Sequence, residues 1–161
     1  MSTFEVQFLA MKSWFWIAGL LLFCAGCSKD KYTSTPQISF KSFSSNVWFN
    51  TVSQFSPSLK IEVTDAEGDL GYIDEPTFIY VKNITVPPMK EDSFKLPDLS
   101  SLVRKNLKVE VSAEISSVLT SSNQPNRPYT DTLFFEVYVK DKAGNKSNVI
   151  TTPEPFYLIT E

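Results

Sequence analysis

Residues 105–115 read KNLKVEVSAEI, and apolar and polar side chains alternate along the stretch. Successive side chains of an extended strand point to opposite faces of a sheet, so this alternation predicts a strand with one buried and one exposed face. An amphipathic helix would instead repeat its apolar residues every three or four positions. No long segment of the chain has that helical spacing. The stretch therefore predicts an all-β domain.

Six further segments have the composition and patterning of strands, with turns between them. They cover residues 37–43, 58–64, 77–82, 92–96, 132–140 and, as one last strand broken at Pro153 and Pro155, 146–151 with 156–160. About seven strands in a domain of this size is the pattern of an immunoglobulin-like antiparallel β-sandwich. An eight-stranded jelly roll is the alternative.

The N-terminal region predicts export and lipid anchoring. An apolar core, WFWIAGLLLF, spans residues 14–23, and it is shorter than the roughly 20 residues that a membrane-spanning helix needs. Ala25, Gly26 and Cys27 follow and match the end of a lipobox, after which the cysteine is lipidated and becomes the new N-terminus. Cys24 stands where such motifs usually have leucine. The alternative is an ordinary signal peptide cut near Ala25 or Gly26.

These features divide the chain into three expected parts. Residues 1–26 form a signal peptide that is removed, with Met11 as an alternative start of translation. Residues 27–36 form the lipidated N-terminus and a polar tether, and residues 37–161 form the sandwich. Each buried CH₂ of a lipid chain contributes about 0.8 kcal/mol to membrane binding. We therefore expect a cell-envelope protein anchored through Cys27 to the outer membrane, on its surface or its periplasmic side.

Composition excludes several kinds of chemistry. The chain has no histidine and two cysteines; these are Cys24, removed with the signal, and Cys27, which is lipidated. The mature domain then has no imidazole and no thiol, which excludes Ser-His-Asp and Cys-His catalysis as well as zinc or copper sites built on those ligands. The net charge is −3, and the sequence has no basic patch suited to nucleic acid. We therefore expect a protein that is not an enzyme.

Two short acidic loops hold the three glycines that follow Cys27. The first, residues 65–71, reads DAEGDLG, and the second, residues 141–145, reads DKAGN. Loops of this order lie at one end of an immunoglobulin-like sandwich, so their oxygen-bearing side chains are expected to converge. Crowded carboxylates repel one another unless a cation screens them, and calcium accepts six to eight oxygens in loose geometry. The candidate calcium ligands are Asp65, Glu67, Asp69, Asp141 and Asn145.

The alternative for these loops is a pair of tight turns without a metal. Gly68 and Gly144 would then adopt positive φ, and the acidic side chains would accept hydrogen bonds from backbone N–H groups. A third interpretation uses carboxylates of the same loops, together with Asp74, as the acid and base of a hydrolase.

The same loops carry a resemblance. The stretch DAEGDLG at 65–71, followed by VKDKAGNKSNVITT at 139–152, resembles small surface-type lipoproteins of the Bacteroidetes. Those proteins show a D-x-D/E-G-D-hydrophobic-G loop and a D-x-A-G-N/H-x-S-N ending. Here Glu67 stands where aspartate is commoner. The resemblance implies an immunoglobulin-like or cadherin-like domain, and it implies no particular activity.

Two other surfaces are candidates for ligand contact, and their residues are Phe134, Tyr138, Arg127 and Tyr129. The first two lie on the outward face of the predicted 132–140 strand, where aromatic rings could stack on sugars or fill an interface; the alternative is that residues 42–55 cover this face. The last two lie in the polar loop 116–130, for which the alternative is a mobile connection without a ligand.

The sequence thus predicts a membrane-anchored, non-enzymatic binding or structural module of the cell envelope. Its expected partners are the membrane, through the N-terminal lipid, and a glycan or an envelope protein. The alternative is an accessory subunit of an envelope or glycan-uptake complex with no ligand of its own.

Overall fold

The computed structural model describes residues 30–51, 56–72, 74–99, 101–102 and 105–161. These residues form ten strands, and the helical element among them is a 3₁₀ turn at Ser116–Val118. The prediction of an all-β domain is therefore confirmed. Residues Lys31–Glu161 form one compact unit, which contains every described strand. The predicted signal peptide and Cys27 lie outside the described residues.

The strands form three sheets. In chain order they are β1 (Gln37–Phe43), β2 (Val47–Phe49), β3 (Ser58–Asp65), β4 (Phe78–Asn83), β5 (Glu91–Lys95), β6 (Leu107–Glu114), β7 (Tyr129–Leu133), β8 (Phe135–Lys140), β9 (Ile150–Thr151) and β10 (Phe156–Thr160). Their spatial orders are β1-β3-β6, β5-β4-β8-β9 and β2-β10-β7. Neighbours are antiparallel except β2 and β10, which are parallel. The arrangement is consistent with a β-sandwich, while the finer immunoglobulin-like topology stays a prediction.

Apolar side chains alternate with polar ones along the strands, and the apolar ones face one shared core. Leu59, Ile61 and Val63 of β3 are buried, and Ile61 opposes Val111 of β6 in the register. All three sheets contribute to one hydrophobic cluster, which at one place joins Phe43, Phe135 and Phe156 edge to face. Burial of this shared core is the main source of stability for a domain whose predicted mature form has no disulfide.

The predicted strand 132–140 is wrong, because the chain changes sheets at Phe134. There β7 ends and β8 begins, and β7 pairs with β10 whereas β8 pairs with β4. The Phe134 N–H donates to Thr85 Oγ1 at 2.7 Å, and the Phe134 carbonyl accepts from the Ile84 N–H at 3.0 Å. The loop after β4 thus binds both the N–H and the carbonyl of Phe134. These groups are therefore not available to pair with a neighbouring strand, and the hydrogen-bond ladder is interrupted.

The predicted last strand is likewise two strands in different sheets. Its first part, β9, pairs with β8, and its second part, β10, pairs with β7 and β2. Pro153 and Pro155 lie between them, and proline has no N–H to donate to a ladder. The β2 strand was not predicted at all. The remaining predicted strands are confirmed within about two residues at each end.

The folded unit begins earlier than the predicted boundary at residue 37. The Lys31 N–H donates to Asn106 Oδ1 at 2.7 Å, and the Thr33 carbonyl accepts from the Ala66 N–H at 2.9 Å. Pro36 is buried. The predicted tether is therefore shortened, because its second half is part of the compact unit.

Candidate functional site

The two acidic loops lie side by side at one end of the domain. The first follows β3, and the second follows β8. The Lys142 N–H donates to the Asp69 carbonyl at 3.1 Å, which joins the loops through their backbones. The Lys142 ammonium also pairs with Glu75 at 2.7 Å. The fold therefore brings together the two segments in which the sequence predicts oxygen ligands.

In the first loop, two carboxylate oxygens are buried without a hydrogen bond. Asp65 is fully buried, and its Oδ2 accepts from the N–H groups of Gly68 at 2.6 Å and Asp69 at 3.2 Å. Its other oxygen, Oδ1, has no partner, and neither has Oδ1 of Asp69. Buried polar atoms in folded proteins are nearly always paired, so two unpaired oxygens in one turn call for an explanation.

The electrostatics of the pair follow from this burial. The pKa of Asp65 is raised from 3.8 to about 6, above all because burial removes water from the carboxylate. The N–H groups of Gly68 and Asp69 lower this pKa, whereas the charge and the side-chain contact of Asp69 raise it further. Two carboxyl groups in such contact can hold either a cation or a shared proton.

The second loop is closed on itself. Asp141 Oδ1 accepts from the Asn145 N–H at 2.7 Å, and Asp141 Oδ2 accepts from Asn145 Nδ2 at 2.8 Å. The Asp141 N–H donates to the Asn145 carbonyl at 3.1 Å, and Gly144 has a φ of 86°. Both oxygens of Asp141 are thus engaged, as expected of a hydrogen-bonded turn.

The predicted set of five calcium ligands therefore divides. The fold brings the side chains of Asp65 and Asp69 together, it pairs those of Asp141 and Asn145 with each other, and it leaves Glu67 exposed. Within the ranges that the structure describes, no three His, Cys, Asp or Glu side chains converge on one point. A cation here would rest on two carboxylates, with backbone carbonyls or water completing its shell.

The sheet face that carries Tyr138 has a layered arrangement of rings and lysines. Tyr80 and Tyr138 oppose each other across β4 and β8, with ring centroids 4.7 Å apart and planes inclined by 6°. Lys146 Nζ lies 3.8 Å from the Tyr138 centroid, and Lys140 Nζ lies 5.3 Å from the Tyr80 centroid. Each ring thus stacks on the other tyrosine and also has a lysine ammonium near it, a cation–π arrangement.

Phe134 and the predicted cover of this face lie elsewhere. Phe134 is at the point where the chain changes sheets rather than in a strand with Tyr138. In the segment 42–55, residues Val47–Phe49 form β2 beside β10, in another sheet; residues 52–55 lie outside the described ranges.

Arg127 and Tyr129 both fasten the loop 116–130 to the rest of the domain. Arg127 Nη1 donates to the Glu161 carbonyl at 2.9 Å. Tyr129 is buried in β7, and its hydroxyl bonds to Ser121 Oγ at 2.5 Å. These contacts give both side chains a structural role, which sequence reasoning could not separate from a ligand-binding one.

Sequence reasoning did not single out two residues that shape this end of the domain. Asn106, with a φ of 57°, uses its side chain to bind the incoming chain at Lys31. Thr77 Oγ1 accepts from the Gly71 N–H at 2.8 Å and closes the first loop. Asn is among the residues that tolerate positive φ, and its place directly before a strong strand pattern was the available signal.

Comparison with protein-family models, with curated proteins and with solved structures gives no match to this chain. Among the described residues, no helical segment has the length and hydropathy of a membrane-spanning helix.

Proposed function

We propose that this chain is a membrane-anchored lipoprotein whose all-β domain is a non-enzymatic binding or structural module of the cell envelope. The observation that carries this proposal is the short distance along the chain from Cys27 to the start of the compact unit at Lys31. Four residue steps span at most about 14 Å. A lipid on Cys27 would therefore hold the folded domain directly against the membrane surface.

The non-enzymatic part of the proposal is supported by the chemistry of the acidic residues. Among the described side chains, the carboxyl group with a pKa raised toward neutrality is Asp65, which is fully buried. A general acid must reach the atom that it protonates. A substrate could contact Asp65 only if the first acidic loop opened.

A protein partner is favoured over a glycan by the arrangement of Tyr80 and Tyr138. Sugar binding by stacking needs a free aromatic face, whereas each of these rings uses one face to stack on the other tyrosine, and Lys146 Nζ lies 3.8 Å from the Tyr138 centroid. Tyrosine is enriched in protein–protein interfaces, so this half-buried tyrosine pair suits contacts with a protein. This favours the accessory-subunit form of the proposed function.

The lipid anchor is tested by labelling cells that express the full chain with an alkyne-bearing fatty acid. We expect label on the wild type and its recovery in the outer-membrane fraction. Cys27→Ser should abolish both, whereas the matched control Cys24→Ser should retain them. Equal labelling of Cys27→Ser, or an unlabelled wild type released with soluble periplasmic proteins, would refute the anchor.

A further inference from the structure

We propose that Asp65 and Asp69 form the core of a calcium-binding site in the first acidic loop. The site is independent of the lipid anchor, because every residue in the proposal belongs to the compact unit Lys31–Glu161. Two buried oxygens, Oδ1 of Asp65 and Oδ1 of Asp69, have no hydrogen-bond partner and mark the place.

The second acidic loop provides an internal reference for the first. Both loops have the pattern D-x-x-G followed by Asp or Asn, at 65–69 and 141–145. In the second, the amide of Asn145 donates to Asp141 Oδ2 at 2.8 Å and satisfies it. In the first, Asp69 occupies the position of Asn145 and has no proton to donate when it is ionised. The shared pattern therefore gives a hydrogen-bonded turn in the second loop and an unbalanced pair of acids in the first.

The donor atoms determine which ion suits the site. Carboxylate and carbonyl oxygens are hard ligands, which calcium and magnesium prefer. Magnesium gives up its water reluctantly and keeps several water molecules in most protein sites, whereas calcium tolerates irregular protein ligands. The two oxygens are withdrawn from solvent, so calcium fits better. Its double charge also balances the two carboxylates.

A proton shared by Asp65 and Asp69 would also relieve the repulsion. It would leave the domain insensitive to calcium. Metal dependence therefore distinguishes the two possibilities.

The experiment uses the full-length protein, purified in detergent, and measures its melting temperature in excess EDTA and then with millimolar calcium or magnesium. Calcium at about a hundredfold excess over its dissociation constant should raise the melting temperature by several degrees. Magnesium should raise it little. Equilibrium dialysis should give one calcium ion per chain.

Asp69→Asn is the decisive variant, because it gives the first loop the side chain found in the second. It should abolish the response to calcium and, in EDTA, should melt above the wild type, since the amide can donate to Asp65 Oδ1. Asp74→Asn is the matched control: this acid is exposed and lies in the same segment. It should keep the full response to calcium.

Three results would overturn the proposal. The first is a wild type whose melting temperature does not rise specifically with calcium. The second is a rise in melting temperature with calcium that persists in Asp69→Asn. The third is a rise with magnesium as large as the rise with calcium. A wild type insensitive to calcium, combined with a more stable Asp69→Asn, would instead identify the shared proton.

Discussion

In the first acidic loop two buried carboxylate oxygens have no hydrogen-bond partner, whereas in the second both oxygens of Asp141 accept hydrogen bonds from Asn145. The two loops begin alike, with an aspartate at the first position and a glycine at the fourth. They differ at the fifth position, where one has a carboxylate and the other an amide. An amide can donate a proton to the opposing aspartate, and a carboxylate cannot.

This difference shows how to distinguish a structural turn from a binding site. An acid whose oxygens are filled by local N–H groups stabilises its own turn. An acid that is buried without a partner destabilises the fold unless a cation binds to it or it takes up a proton. Acidic composition alone is the same in both cases, so the hydrogen bonds decide.

The largest expected effect on stability comes from replacing a glycine near each loop with alanine, because the two glycines have different surroundings. At Gly71, with a φ of +63°, an added Cβ would lie 2.6 Å from both Leu99 Cγ and the Pro97 carbonyl oxygen. At Gly144, with a φ of +86°, it would meet nothing within 4 Å. We expect Gly71→Ala to cost roughly 2–5 kcal/mol, from left-handed strain plus overpacking, and Gly144→Ala about 1–2 kcal/mol from strain alone.

Urea denaturation of the two alanine variants measures this difference. Equal losses of stability would show that the first loop is no more tightly packed than the second.

The next effect is a dependence of stability on pH that comes from Asp65. Its pKa is about 6 in the folded chain and close to 3.9 in an unfolded one. The folded state therefore binds more protons between pH 4 and pH 6. In EDTA, the stability attributable to this group should fall as pH rises through that window, by about 3 kcal/mol in all, and stay low above it.

Two comparisons isolate that contribution. Asp65→Asn should lack the decline between pH 4 and pH 6, so the wild type should lose stability relative to this variant as pH rises. Glu62, on the same strand, has a pKa lowered by hydrogen bonds to Lys41 and Lys108. Its contribution should be lost only below about pH 4.5, with the opposite slope. A wild type that gains stability relative to Asp65→Asn as pH rises would contradict the assignment.

The smallest expected effect on stability comes from exchanging the residue types at the fifth position of the two loops. Asn145→Asp should destabilise the domain by about 1–2 kcal/mol, because Asp141 loses a donor and gains a like charge. Asp69→Asn should stabilise it in EDTA by a similar amount. The free energies of unfolding from urea titrations test the pair. If both substitutions change the free energy of unfolding in the same direction, an amide at the fifth position does not stabilise both loops relative to a carboxylate.

The sequence predicted the strands whose cause is local and missed the features that depend on distant contacts. Alternation over 58–64 and 105–115 placed β3 and β6 within about two residues, because each strand buries one face. The break at Phe134 depends on the hydroxyl of Thr85, which is remote along the chain. A uniform pattern of apolar residues contains no signal for such a contact.

The candidate site was predictable to the same extent. Glycines among acidic residues located both loops, and the strand pattern indicated that they would be neighbours. The sequence did not show which oxygens Asn145 and the N–H groups of Gly68 and Asp69 would fill. For that reason five predicted ligands became two carboxylates and one closed turn.

The hydrogen bonds of Lys31 and Thr33 to Asn106 and Ala66 have a consequence for orientation. The chain enters the domain at the end that carries the first acidic loop. A lipid on Cys27, at most about 14 Å along the chain from Lys31, would then hold this end toward the bilayer. A calcium ion bound at the proposed site would then lie close to the membrane surface. The opposite end of the sandwich, with the turn between β4 and β5, would point away and be free to meet other molecules.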